Sequence, residues 1–334
     1  MIALISVSCN KNNPDNPGRY PKPVTGKATQ ITSNSAVLEG TADLSALPDG
    51  VERGMVVSQT KDATTGNVIK LVSTDRGSNY YTVTVTGLKA GTEYYYKAFI
   101  NAGGAYVEGE VKSFTTEKYK PVAIDLGLPS GLKWADCNVG ANAQDDYGDY
   151  FAWGETEPYY SRREPLTWKD GKSAGYIWAN YKFCSSGDSV ENVELSKYNN
   201  NDARGIVDNK TTLDLADDAA RANWGEGWRI PTIGDWEELL DNCTIEWTSL
   251  GAASGRMVTG PNGNSIFLPA AAAFSGSDID GIGIYGMYWS SSLYIIIPVF
   301  ASTVTIDSPY SSMGSITKGY NHRCLGAPVR PVTE

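Results

Sequence analysis

Trp228-Arg229-Ile230-Pro231-Thr232 runs into Asp235-Trp236-Glu237-Glu238-Leu239-Leu240, and two further blocks follow: Tyr288-Trp289-Ser290-Ser291-Ser292, and Arg323-Cys324 closing on Pro328-Val329-Arg330-Pro331-Val332. Thr232, with Asp235 three residues on, is close to a capping box and starts a helix. Trp236, Leu239, Leu240 and Cys243 recur at i, i+3, i+4 and i+7, an apolar helical stripe that turns Cys243 toward the core. A second helix is expected over residues 214–223, which are good helix formers with Gly225 just beyond. Strands surround these two helices. Residues 260–264 are a strong turn signal between Met257-Val258 and Ile266-Phe267-Leu268. Residues 288–293 and 300–304 read as a hairpin. Residues 323–332 read as a last strand, expected to pair near Lys133-Trp134 and bring the two ends of the domain together.

Working outward, Asp125-Leu126-Gly127-Leu128-Pro129-Ser130-Gly131-Leu132-Lys133-Trp134-Ala135-Asp136-Cys137-Asn138-Val139-Gly140-Ala141 opens the same region, and Tyr147-Gly148-Asp149-Tyr150-Phe151-Ala152-Trp153-Gly154-Glu155 continues it. With the three blocks above, these stretches resemble the Fibrobacter succinogenes major paralogous domain over nearly all of residues 124–332. That resemblance implies a C-type-lectin-like α+β fold, related to that of formylglycine-generating enzymes, on a bacterial surface lipoprotein; adhesion or glycan binding is the function it suggests. The sequence also departs from those relatives. Glu157-Pro158 is followed by Tyr159, and the Trp-Asn-Asp of calcium-dependent lectins is missing, so their calcium-bridged sugar site is not carried over. The paired reactive cysteines of formylglycine-generating enzymes have no clear counterpart either. A shared fold does not by itself transfer an activity.

Residues 23–117 alternate apolar and polar in short runs. Ser35-Ala36-Val37-Leu38-Glu39-Gly40, 51–57 and Tyr80-Tyr81-Thr82-Val83-Thr84-Val85 are strand candidates with β-branched and aromatic content. Leu88, a glycine-bearing turn and Tyr94 opening the next strand resemble the tyrosine corner of sandwich domains. With the ending Phe114-Thr115-Thr116, this part looks like a fibronectin type III domain, which implies a spacer or interaction module. The expected fold is therefore mainly β with an α+β part: a fibronectin type III-like β-sandwich over 23–117, then a C-type-lectin-like domain with two helices over 122–334, joined by a short Pro-bearing linker.

Composition narrows the function classes. The charged share of 20% and aromatic share of 11% suit a folded, β-rich chain and not a disordered one. The net charge of −10 makes nucleic acid and anionic membrane poor partners, because phosphate is repelled. A single histidine, His322, rules out a His-rich zinc site and leaves one residue for any Ser-His-Asp arrangement. Residues 1–22 read as the remnant of a lipoprotein signal and a flexible tether: Met1-Ile2-Ala3-Leu4-Ile5-Ser6-Val7-Ser8-Cys9 is apolar, then small, then cysteine, and an Asn/Pro stretch follows. The resemblance to bacterial lipoprotein signals makes Cys9 the lipidated residue and the N-terminal lipid the only membrane contact. The remaining cysteines, Cys137, Cys184, Cys243 and Cys324, allow two disulfides in three pairings, or buried free thiols.

Residues 145–178 hold the candidate ligand surface. Trp153, Glu155, Glu157, Tyr159, Tyr160 and Trp168 combine rings that stack on sugars with carboxylates that bind hydroxyls, and Arg162 and Arg163 lie in the same stretch. Core packing is the alternative for Trp153, inside the family motif. Asp278 and Asp280 hint at calcium but lack the loop spacing, and read as a solvated turn. The glycine string 281–286 leads into a strand and not a helix, so its nucleotide-loop context fails. Asp188-Ser189-Val190 resembles a short O-glycan acceptor of gut anaerobes. The expectation is a non-enzymatic, outer-membrane-anchored lipoprotein that binds a glycan or a surface protein, with no metal and no cofactor. A structural subunit of a surface fibre, and a glycan-acting enzyme using Glu155 and Glu157, are the alternatives.

Overall fold

Val24–Thr29 (β1), Ser35–Thr41 (β2) and Tyr80–Thr86 (β5) form one sheet in the order β1-β2-β5. Glu52–Ser58 (β3), Ile69–Val72 (β4), Glu93–Ala102 (β6) and Ala105–Glu108 (β7) form the other in the order β4-β3-β6-β7, with Lys112–Thr115 (β8) also on β6. The computed structural model describes residues 20–43, 45, 47, 51–61, 69–74, 77–102, 105–161, 167–309 and 316–334. Cys9, Arg162 and Arg163 lie outside the described residues. Strand alternation explains the sandwich. Every second residue of β5 is buried, and β2 sends Ala36 and Leu38 into the same core. Met55, Val57, Ala98 and Ile100 fill it from the opposite sheet. Gly40 is needed because a Cβ there would sit 2.4 Å from the Tyr81 ring, whose hydroxyl donates to the Gly54 carbonyl at 2.9 Å. The Tyr94 hydroxyl accepts the Lys89 N–H at 2.9 Å, the bond that defines a tyrosine corner. The first unit is a fibronectin type III-like β-sandwich.

The chain divides into two compact units between Tyr119 and Lys120. The second opens on Ala123–Asp125 (β9) and Lys133–Ala135 (β10), then short pairs: Tyr150–Phe151 (β11), Tyr160–Ser161 (β12) with Thr167–Trp168 (β13), and Cys184–Ser186 (β14) with Glu194–Leu195 (β15). Two helices follow, Ala219–Trp224 (α1) and Ile233–Asn242 (α2). Next come a meander of Thr244–Leu250 (β16), Ala253–Thr259 (β17) and Ser265–Pro269 (β18), and a short pair of Phe274–Ser275 (β19) and Asp278–Ile279 (β20). The sheet of Tyr285–Leu293 (β21), Phe300–Asp307 (β22) and Ile316–His322 (β23) completes the body, and Ala327–Pro328 (β24) and Val332–Thr333 (β25) close it. Strand β25 pairs with β10 through Lys133↔Thr333 and Trp134↔Val332, so the ends of the unit meet as the sequence suggests.

Two local expectations need correction. Residues 214–223 are not one helix: a 3-10 turn, Leu215–Asp217, precedes α1, and Asp218 between them is extended, its carboxylate capping Arg221 N–H at 3.0 Å. Residues 323–332 are not one strand. Pro328 and Pro331 lack the N–H a ladder needs, and β24 pairs with β11 while β25 pairs with β10. Ile295-Ile296-Ile297 lies in the turn between β21 and β22. The capping box of α2 is present as expected, with the Asp235 backbone N–H donating to the Thr232 hydroxyl at 3.1 Å and the Thr232 backbone N–H to the Asp235 carboxylate at 2.7 Å. Helix α2 buries Trp236 and Leu239 against β21 and β22, with Trp236 edge-on to Trp134 at 4.6 Å. Strands β21 and β22 are buried on both faces. Tyr288, Val304 and Ile306 point into the α2 cluster, while Met287, Trp289 and Ala301 point into an aromatic cluster built on Trp153, Tyr176 and Phe274.

Candidate functional site

Three of the four rings proposed from sequence as a sugar platform, Trp153, Tyr159 and Tyr160, are inside the protein. Trp153 is 1% exposed, and its indole N–H donates to the Ser290 carbonyl at 2.8 Å. Tyr159 stacks on Tyr176 at 4.4 Å, and its hydroxyl donates to Glu155 at 2.5 Å. The Tyr160 hydroxyl accepts the Tyr150 N–H at 3.0 Å. Trp168 is half-buried, edge-on to Phe274 at 5.7 Å. The physical reason is the scarcity of long elements between residues 136 and 218. Short β pairs and turns leave backbone groups to satisfy, and a Tyr or Trp fills volume while its polar tip reaches a carbonyl or N–H. Gly154 follows Trp153 at φ +78°, where a Cβ would press to 2.8 Å from the Phe183 ring.

The two carboxylates of this stretch have different surroundings. Burial raises the Glu155 pKa above its ordinary value, against the opposing pull of the Tyr159 hydroxyl, the Lys182 backbone N–H and nearby lysines. Glu157 is exposed, and its hydrogen bond and ion pair with Lys169 at 2.9 Å hold its pKa down.

Arg323 organises the other side of the aromatic cluster. It is fully buried, and its guanidinium donates to the Tyr181 hydroxyl at 2.9 Å and to the carbonyls of Tyr198, Pro298 and Lys197 at 3.1, 3.1 and 3.0 Å. It also lies over the Trp153 ring at 4.8 Å. The fork geometry of a guanidinium suits several carbonyls at once. Two loops are thereby fixed: 197–209 and 294–299. Asn200 adds a bond between them, donating to the Ile295 carbonyl at 2.7 Å. Below the first loop, Lys197 bridges Asp214 and Asp217 at 2.6 and 2.5 Å, and Lys182 reaches Asp217 at 2.8 Å.

These clamped loops turn apolar side chains outward. Ile206 is 64% exposed, and Ile295 and Ile296 are 58% and 72% exposed. Beside them runs a row of rings: Tyr294 stacks on Tyr320 at 3.9 Å, Tyr320 meets Phe300 at 5.2 Å, and Phe300 meets His322 at 4.9 Å. Burial lowers the His322 pKa, against the pull of Glu191. Sequence alone pointed to none of Ile206, Ile295, Ile296, Tyr294 and Tyr320 as site residues. The signal that marks this surface is three consecutive β-branched residues in a stretch, 257–317, free of Lys and Arg.

Elsewhere, a cavity of about 370 Å³ opens among Leu215, Arg221, Glu226, Trp228 and Arg229, but both guanidiniums are engaged, Arg221 with Glu226 at 3.2 Å and Arg229 with Asp235 at 2.6 Å. Among the described residues no group of three His, Cys, Asp or Glu side chains is placed to hold a metal, and no helix is long and apolar enough to cross a membrane. Cys137, Cys184, Cys243 and Cys324 are free thiols; burial pushes Cys324 up to about 12 and Cys243 up to about 11.

No family model matches the chain, and no curated relative does. Among solved structures it is similar to the sensor domain of the anti-sigma factor RsgI4 in Pseudobacteroides cellulosolvens, at 19% identity and a TM-score of 0.24, covering 29% of this chain and 95% of that one. It is also similar to a fibronectin type III domain of human KIAA0970 protein, at 18% identity and a TM-score of 0.28, covering 36% and 90%. The third fibronectin III domain of human KIAA0343 protein gives 16% identity and a TM-score of 0.24, covering 35% and 96%. At these scores the likeness carries no argument about activity.

Proposed function

We propose that this chain is a cell-surface lipoprotein that binds and does not catalyse, anchored through Cys9, with the fibronectin type III-like unit as spacer and the second unit as the binding tip. The second unit is read as C-type-lectin-like. Its two helices, its loop-rich middle and the return of β25 to β10 support that reading. The observation that carries the binding function is the pair of Arg323-clamped loops. An apolar patch held rigid and turned to solvent costs solubility, and such patches mark interaction sites. Rigidity set in advance lowers the entropy lost on binding. The ligand is a glycan or a surface protein, met at Ile206, Ile295, Ile296, Tyr294 and Tyr320, and not at the buried rings of residues 145–178.

The test is binding of the purified chain to a glycan array and to cells carrying candidate surface proteins, beside Ile296→Asp and Tyr294→Ala. Both substitutions are expected to abolish binding without lowering the melting temperature. A blank array, together with no cell-binding defect in a deletion strain, counts against the reading. Labelling with a fatty-acid analogue, lost in Cys9→Ala, tests the anchor separately.

A further inference from the structure

We propose that β23 pairs antiparallel with β23 of a second copy, about a twofold axis at Gly319, so that the chain is a homodimer joined along this sheet edge. This inference does not rest on the ligand reading, although Tyr320 belongs to both surfaces, and its test reads association of the chain with itself and not ligand binding. Strand β23 is the last of its sheet, and among the described residues β22 is the strand it pairs with. The pairing runs without a bulge from Phe300↔His322 to Ile306↔Ile316. Natural proteins blunt such edges with proline, bulges, or rows of charge. Strand β23 has no proline and no bulge, and its single charge, Lys318, is held by Glu237 of α2 at 2.8 Å. Lys318, Gly319 and Tyr320 are exposed.

Gly319 is the second observation. Its φ is not left-handed, and among the described residues a Cβ there would meet only Thr303 Oγ1 at 3.8 Å. Neither its conformation nor its packing among the described residues calls for glycine, which weakens a strand. With no bulge in this pairing, the close approach of another backbone is one of the roles left for a strand glycine here.

Self-pairing about Gly319 is also compatible in charge. Gly319 faces its own copy, Lys318 faces the second copy's Tyr320, Thr317 faces Asn321, and Ile316 faces His322. No like charges meet, although the chain as a whole, at −10, repels itself. The contact is isologous and closes at two copies.

Sedimentation equilibrium of the full chain from about 1 µM to about 1 mM is expected to show a concentration-dependent dimer. The amides of β23 are expected to exchange more slowly as it forms. Tyr320→Lys sets lysine against Lys318 twice and should weaken the dimer at least about tenfold. Tyr320→Glu loses the same ring but faces Lys318 with an opposite charge, and should keep or tighten the dimer. Because both variants lose the ring, any common effect on folding cancels and their difference reads the charge pairing. A chain that stays monomeric to about 1 mM, or a dimer equally strong in both variants, overturns the proposal.

Discussion

Arg323 donates from Nη1 to the Pro298 carbonyl at 3.1 Å, tying the loop of exposed isoleucines to a cation at the centre of the aromatic cluster. The same nitrogen reaches the Tyr198 carbonyl, so one side chain sets the spacing of both surface loops. A buried charge is tolerable here because each guanidinium nitrogen has an oxygen partner and ring faces surround the rest.

Arg323→Met fills similar volume but strands three carbonyls. It is expected to cost about 3 kcal/mol or more, since each unmet buried acceptor costs about 1–3 kcal/mol. The loss should appear in the urea transition of the second unit alone, followed by its tryptophan fluorescence. Arg323→Lys should recover little, because an ammonium cannot reproduce the fork.

Trp153→Ala separates a core role from a binding role. The side chain is enclosed, so its loss is expected to cost about 3–5 kcal/mol. Tyr294→Ala, at the surface, should change the melting temperature little. If Trp153→Ala left stability intact and removed binding, the placement of the site at the outer loops would be wrong.

Tyr94→Phe tests the first unit. It removes the acceptor for the Lys89 N–H and should cost about 1 kcal/mol of that unit's stability. The transition of the second unit is expected to stay where it is, which calorimetry of the whole chain would show.

Period and punctuation carried the legible part. The alternation in β2 and β5, the Leu88–Tyr94 corner, the Thr232–Asp235 box and the turn at residues 260–264 are local patterns with local causes, and each appears in the structure. The candidate site was not legible for a physical reason. A tyrosine or tryptophan on a sugar platform and one in a polar-lined core have the same composition and neighbours in sequence. What separates them is whether the tip finds a carbonyl from far along the chain, as Trp153 finds Ser290. Arg323 was hidden likewise, because four partners spread over residues 181–298 leave no spacing to read.

Acid should loosen the loop network at Asp217. Burial alone would raise its pKa, but the Lys182, Lys197 and Tyr198 donors outweigh burial and hold it below the ordinary value. A depressed folded pKa contributes stability that is present above the unfolded value of about 3.9 and is lost as pH falls below it. Asp235, held down by Arg229 and Thr232 against its own burial, acts in the same sense. Glu155, raised by burial, acts in the opposite sense, costing stability as pH climbs above about 4.3. Urea midpoints of the second unit from pH 6 to pH 3 should therefore fall most steeply below pH ~4 in the native chain. The fall should be shallower in Asp217→Asn, which is less stable at pH 6 but loses less on acidification. Glu155→Gln should lie closest to the native chain at the acid end. An Asp217→Asn curve parallel to the native one would show that Asp217 does not couple folding to protons, and the ionic support assigned to the 197–209 loop would have to be withdrawn.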